Sequence, residues 1–410
     1  MQSCRIHRMA AGDDEVQAAR GRGSLVEGAT AARRNVEVRG SVSRASVRFR
    51  SQPHWVDYLV WIGKPYHLAH GPGKGDASMS RKGFFGAVAL AVAASCALVA
   101  CGAVQDSSAP AAAGQAAGSA AFPVKITHKF GVATVEKAPQ RVVVIGTSTD
   151  DLDAALALGV SPVAFFTKSG STAVPSYLKG KLDPAKTRIV DAANGVNAEE
   201  VGKLTPDLIL ATADYGLDKE YANLSKIAPT VGYATEWGAQ TWQEHVKVVA
   251  QALGKTADAQ KVIDTAQAAI DQAKADNPKA AGKTFTASVG NAPGKLFTLV
   301  SQQDFAVQLI QSVGLKLSST VVDASKNESG SPTGTLTPEQ YDKVAADVVI
   351  IAFTSPDLRQ AFESNQLVAK VKAGNYLVTD METISALRAP TVYGIPYVLD
   401  KLKPALAKLS

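Results

Sequence analysis

The side chains able to do chemistry are few, and their distribution narrows the function at once. Beyond Cys101 the chain has no further cysteine and only two histidines, His128 and His245. A disulfide, a His/Cys zinc site and a Cys or His nucleophile pair are therefore nearly excluded there by inventory. What stands out instead is a pair of glutamates, Glu199 and Glu339. The segment from Asn197 to Leu210 can be laid on the segment from Thr337 to Ile350 at a constant offset of 140 residues. Each copy opens on a capping residue, Asn197 or Thr337, with Glu200 or Gln340 three positions later, the spacing of a capping box. Each then runs through a short helix and an aspartate, Asp207 or Asp347, into a buried strand. A carboxylate in a first helical turn is favoured by the helix dipole alone. Two at matched positions in two halves also offer a pair of charges that a partner can read.

The third chemical feature is Cys101 itself. Arg81 and Lys82 precede an uncharged apolar run over residues 83–100, which fits the core of an export signal. The run ends in Leu98-Val99-Ala100-Cys101, which resembles the bacterial lipobox, where the cysteine sulfur is acylated and the signal is cut just before it. Several acyl chains, at about 0.8 kcal/mol per buried methylene, hold a protein durably on a membrane. The competing reading is a buried cysteine at the end of a transmembrane helix. Residues 102–121 weigh against it: they are small, polar or Ala/Gly-rich without a periodic apolar face, as in a flexible tether. The expected organisation is a signal peptide at 79–100, lipidation at Cys101 and a tether at 101–121. Residues 1–78 hold ten arginines and no lysine in the first fifty positions. They are expected to be an upstream extension, with translation starting at Met79.

Charge follows the same division. The formal net charge is +6, yet residues 1–100 carry 14 basic and 7 acidic residues, and residues 101–410 carry 29 and 30. The body of the chain thus gives no electrostatic reason to bind nucleic acid.

These features must be positioned by an α/β body. Buried strands are expected at 141–146, 161–166 and 208–211, with a helix over 150–158 between the first two. The pattern returns with strands at 285–289, 347–353 and 376–378. Alternation of this kind argues for mainly parallel sheets. Between the two sets, residues 256–277 predict one long helix with Ala259, Val262, Ile263, Ala266 and Ile270 on its apolar face and a stop at Pro278. Two lobes, 122–255 and 279–410, joined by a stiff helix at 256–278, are the expected architecture.

At this point the sequence resembles a known family, the substrate-binding lipoproteins of ABC importers for iron(III)-siderophores, which has cobalamin- and heme-binding relatives. The resemblance runs from Ile126 to the end. It is carried by Ile126-Thr127-His128-Lys129-Phe130-Gly131, by Ala138-Pro139-Gln140-Arg141-Val142-Val143, and by the run from Ala154 to Ala164. Leu204-Thr205-Pro206-Asp207, the stretch from Leu224 to Thr230, and the closing Ile395-Pro396-Tyr397 add to it. No single motif is decisive, but their order and spacing are specific.

The resemblance implies two Rossmann-like lobes around a ligand cleft, with only a small hinge motion across the single helix. It implies a monomeric receptor for a ferric siderophore, lipid-anchored on the extracytoplasmic face of the cell membrane, serving ABC permease subunits, with no cofactor or catalytic set of its own. It also implies that a surface glutamate on each lobe pairs with permease arginines, and Glu199 and Glu339 fall on those positions. A cleft for such a ligand needs cations and aromatic platforms. On the first lobe the loops offer Thr147 to Asp150, Phe166 with Lys168, Tyr215 and Trp237. On the second they offer Asn291, Phe297, Phe353 and Arg388. His128 sits in what reads as a turn between strands, so a structural role is expected for it rather than heme ligation. Heme or cobalamin carriage, and a surface adhesion or enzyme module, remain the alternative functions.

Overall fold

The computed structural model describes residues 122–325 and 331–409. The expected extension, signal peptide, Cys101 and tether lie outside the described residues. The body opens on a hairpin of β1 (Val124–His128) and β2 (Gly131–Val135), whose turn is closed by Gly131 at a φ of 134°. That is a region open to glycine and costly for other residues.

The first sheet contains β3 (Val142–Gly146), β4 (Ala164–Thr167), β5 (Arg188–Asp191), β6 (Leu208–Ala211) and β7 (Thr230–Gly232). All neighbours are parallel, in the order β5-β4-β3-β6-β7. The chain moves outward from β3 in one direction and then returns to its other side. The resulting crevice at the carboxyl ends of β3 and β6 is where open α/β sheets place ligands.

The second sheet contains β8 (Thr284–Ala292), β9 (Lys295–Leu299), β10 (Lys316–Leu317), β11 (Thr333–Leu336), β12 (Val348–Phe353) and β13 (Tyr376–Thr379). Its path is β11-β9-β8-β12-β13, with β10 pairing β8. β10, β8, β12 and β13 run parallel, whereas β9 and β11 pair antiparallel. The second sheet is therefore mixed, with its parallel strands in keeping with the mainly parallel sheets expected and an antiparallel pair added at one side. The hairpin turn between Ala292 and Lys295 brings β9 back along β8 instead of through a crossover helix.

The helix Thr256–Asp276 lies between the two sheets in sequence, and it buries Ala259, Ile263, Ala266 and Ile270, four of the five residues expected on its apolar face. Those side chains join one continuous core with residues of both lobes, among them Val249, Ile310, Leu399 and Leu402.

The internal echo has a structural counterpart. Asp207 accepts hydrogen bonds from the Gln140 and Arg141 amides at 2.8 Å each, at the entrance to β3. Asp347 accepts from the Thr284 amide at 2.7 Å, at the entrance to β8. Each copy thus staples its own strand to the start of the neighbouring one. The capping boxes differ. Thr337 and Gln340 close a reciprocal box over the 3-10 turn Pro338–Val344. Asn197 accepts from the Glu199 and Glu200 amides, but Glu200 turns away to pair with Arg188 at 2.6 Å. The expected reciprocal half is therefore absent from the first copy.

Candidate ligand cleft

A cavity of about 490 Å³ opens between the lobes, walled by the loops that follow β3, β4, β8, β12 and β13. That volume lies within the range of small-molecule sites. The first lobe contributes Thr147, Ser148 and Thr149 after β3, Phe165 and Thr167 from β4, and Tyr177. The second contributes Asn291, Thr354, Ser355, Leu358 and Glu382.

The wall after β3 is held rigidly. The Thr147 amide donates to the Ala213 carbonyl at 3.0 Å, and the Tyr215 amide donates to Thr147 Oγ1 at 3.2 Å, tying the loops after β3 and β6. Behind them the Thr212 amide donates to Asp151 Oδ2 at 2.7 Å, and Thr212 Oγ1 lies 2.8 Å from His245 Nδ1. Burial alone would lower the His245 pKa, but the Asp150 and Asp151 carboxylates outweigh it and raise the value.

The lobes touch directly beside the cavity. The Ser176 amide donates to Glu382 Oε1 at 2.5 Å, and Thr391 Oγ1 donates to the buried Asp153. Tyr177 packs on Tyr397 with ring centroids 5.4 Å apart, and its hydroxyl is 3.1 Å from Thr149 Oγ1.

The residues expected to bind ligand divide into those the fold brings to the cleft and those it uses elsewhere. Thr147 and Asn291 line the cavity. Phe166 does not: it is fully buried on the opposite face of β4, and its neighbour Phe165 faces the cavity instead. Lys168 is drawn off by two carboxylates, Asp214 and Glu220, each at 2.7 Å. Tyr215 is partly exposed and stands edge-on to Trp237 at 5.4 Å, away from the main cavity wall. Trp237 donates its indole N–H to the Ala213 carbonyl at 3.2 Å and lines a separate recess of about 50 Å³ together with Arg388. Phe353 is turned aside by packing. Its ring lies over Gly290 of β8, where an added Cβ would meet Cδ1 at 2.6 Å, and it contacts Phe362 at 5.5 Å.

Arg388 is buried and pairs with Asp304 at 3.4 Å; its open space is that recess and another of about 30 Å³, which also takes Phe297. His128 is buried in the hairpin and accepts from the Phe130 amide at 3.3 Å through Nδ1, which agrees with a structural role. Burial lowers its pKa. Among the described residues no group of three or more His, Cys, Asp or Glu side chains could hold a metal ion.

Sequence reasoning missed Tyr177, Glu382 and the whole segment between β4 and β5. The signal was present: a parallel crossover normally carries a helix, whereas residues 168–187 are rich in Ser, Gly and Pro and form only the short 3-10 turn Ser176–Leu178. A crossover without a helix is free to fold over the strand ends.

Residues 142–376 match the family model described as periplasmic binding protein. The chain belongs to the periplasmic binding protein family. Among curated proteins it is similar to the Fe(3+) dicitrate-binding periplasmic protein FecB of Escherichia coli, with 24% identity over 215 residues, 52% of this chain and 68% of that one. Among solved structures, a periplasmic solute binding protein from Mycobacterium smegmatis is 27% identical with a TM-score of 0.58, covering 70% of this chain and 98% of that chain. SirA from Staphylococcus aureus, solved with staphyloferrin B, is 25% identical with a TM-score of 0.55 over 69% and 98% of the two chains. PiaA from Streptococcus pneumoniae, solved with ferrichrome, shares the fold at 24% identity and a TM-score of 0.57, over 70% of this chain and 100% of that one. Members of this family are two-lobe binding proteins, and the two lobes around one cleft described here are their architecture. Among the described residues no helix is long and apolar enough to cross a membrane.

Proposed function

We propose that this binding protein is an extracytoplasmic receptor that takes up a ferric siderophore and delivers it to an ABC importer. The observation that carries this reading is the cavity of about 490 Å³ at the strand ends of both lobes, in a fold shared with proteins solved holding ferrichrome and staphyloferrin B. The iron is cargo. Its coordination sphere is filled by the chelator, so the wall has only to recognise the outside of the complex.

In this reading the lobes 122–255 and 279–410 close modestly about the helix 256–278, and Cys101 carries the lipid that tethers them to the cell membrane. Glu199 and Glu339, both exposed on the first turns of the repeated unit, present one carboxylate per lobe to the permease. The protein works as a monomer and needs no catalytic set.

Trp237 and Trp242 line the recess beside the cleft, which shares Ser148 and Ala389 with the cavity wall, so ligand binding has a nearby intrinsic optical signal. Titration of the full chain with ferric hydroxamates, ferric catecholates, ferric dicitrate, heme and cobalamin is expected to give saturable tryptophan quenching with a ferric chelate. Quenching by heme or cobalamin alone would move the protein to another ligand class; no response to any of the five would overturn the receptor reading.

A further inference from the structure

The charge and hydrogen-bonding character of the cleft narrow the ligand further, on the basis that the protein is a ferric-siderophore receptor. The polar wall is made mostly of neutral groups, among them the hydroxyls of Thr147, Thr149, Thr167 and Ser355 and the carboxamide of Asn291. The one ionisable carboxylate or cation among the described lining residues is Glu382, an acid. Two cations beside the cleft are each engaged by acids. Lys168 is held between Asp214 and Glu220, and Arg388 is paired with Asp304 beside recesses of about 30 and 50 Å³, enough for a water but not for a chelate. An anion brought into such a site loses its hydration without gaining a counter-charge, which is strongly unfavourable.

Asn291 adds a positive signal. It is 7% exposed, it lines the cavity, and both its Nδ2 and its Oδ1 lack a hydrogen-bond partner. Buried polar atoms normally find partners. A carboxamide needs both an acceptor and a donor opposite it, as an amide supplies and an acceptor-only carboxylate or catecholate does not. Three monoanionic hydroxamates cancel the charge of iron(III), while three dianionic catecholates leave a trianion.

We propose that the cleft selects a ferric tris-hydroxamate without net negative charge, whose peptide-like amides are read by Asn291 across from the Thr147–Thr149 hydroxyl row. The test is a set of parallel titrations of the full chain, at one fixed salt concentration, with a neutral ferric trihydroxamate, a ferric tris-catecholate and ferric dicitrate. The trihydroxamate is expected to bind at least about tenfold more tightly than either anion. Equal or tighter binding of an anionic chelate would overturn the selectivity and leave the receptor reading intact. Failure of all three would overturn both.

Two variants sharpen the assignment. Asn291→Ala, checked for an unchanged melting temperature, is expected to weaken trihydroxamate binding about tenfold; wild-type affinity in a folded variant would remove Asn291 from the recognition. Glu382→Gln is expected to shift the ratio of tris-catecholate to trihydroxamate affinity about fivefold towards the catecholate. An unchanged ratio would show that the carboxylate does not set ligand charge.

Discussion

Asp214 shows how single residues around the cleft balance burial against charge. Its side chain is fully buried, with Lys168 at 2.7 Å and the Gly216 amide donating at 2.9 Å. Burial pushes its pKa up to about 6, against the downward pull of Lys168. A carboxyl whose folded pKa is raised binds its proton more tightly in the folded state. Its contribution to stability is therefore full below the unfolded value of about 3.9 and is lost as pH rises through about 6. Chemical denaturation of wild type and Asp214→Asn across that window should show the wild type losing stability relative to the variant as pH rises. Parallel curves would contradict the shift. Lys168→Met leaves Asp214 and Glu220 facing each other without their cation, and a loss of about 3 to 5 kcal/mol is expected by the same measurement. A surface lysine would cost far less. Strand geometry separates Phe166, expected at the cleft but buried behind it, from Phe165, which faces the cavity. Successive side chains on a strand point to opposite faces. β4 is buried at all four positions, so no polar alternation marks which face is which.

At the scale of elements, the turns after the strands decide whether the cleft keeps its shape. Gly146 ends β3, and a Cβ added there would lie 2.5 Å from the Ser148 carbonyl oxygen, a backbone atom that cannot swing aside. Gly146→Ala should therefore displace the Thr147–Ser148 turn and its bonds to Ala213 and Tyr215. A destabilisation of roughly 1 to 3 kcal/mol is expected, with ligand affinity falling in parallel. Retained affinity in a destabilised variant would mean that this turn does not position ligand. Elements were legible where their own pattern sufficed. The apolar run at β3 and the 3.6-residue periodicity of Thr256–Asp276 each gave an element within a residue or two of its observed ends. The antiparallel strands β9 and β11 were not legible. They are short, KLFTL and TGTL, and their pairing depends on a hairpin and on contacts far away in sequence. Likewise Phe353 left the cleft because of Gly290, a neighbour across the sheet rather than along the chain.

At the scale of the whole molecule, the two lobes share a core through the long helix, so each lobe's outer surface keeps a definite relation to the other's. That gives meaning to Glu199 and Glu339 as a pair. The Thr337 hydroxyl and the backbone amide of Glu339 hold the Glu339 carboxyl below the usual carboxylate range, so it stays anionic at neutral pH. Exposed ion pairs contribute only about 0.2 to 1 kcal/mol each, so two of them cannot supply tight docking. In the proposed docking role their effect would lie in orientation and encounter rate, which charge complementarity governs. Reversing both, with Glu199→Lys and Glu339→Lys together, should abolish siderophore-dependent growth or uptake while the purified protein binds ligand as before, because neither residue lines the cleft. Each single reversal should fall between, since one matched lobe still guides the encounter. Uptake that survives the double reversal would leave the glutamates as helix-capping charges only, and the repeat would then be explained by Asp207 and Asp347, which staple the strands in both halves.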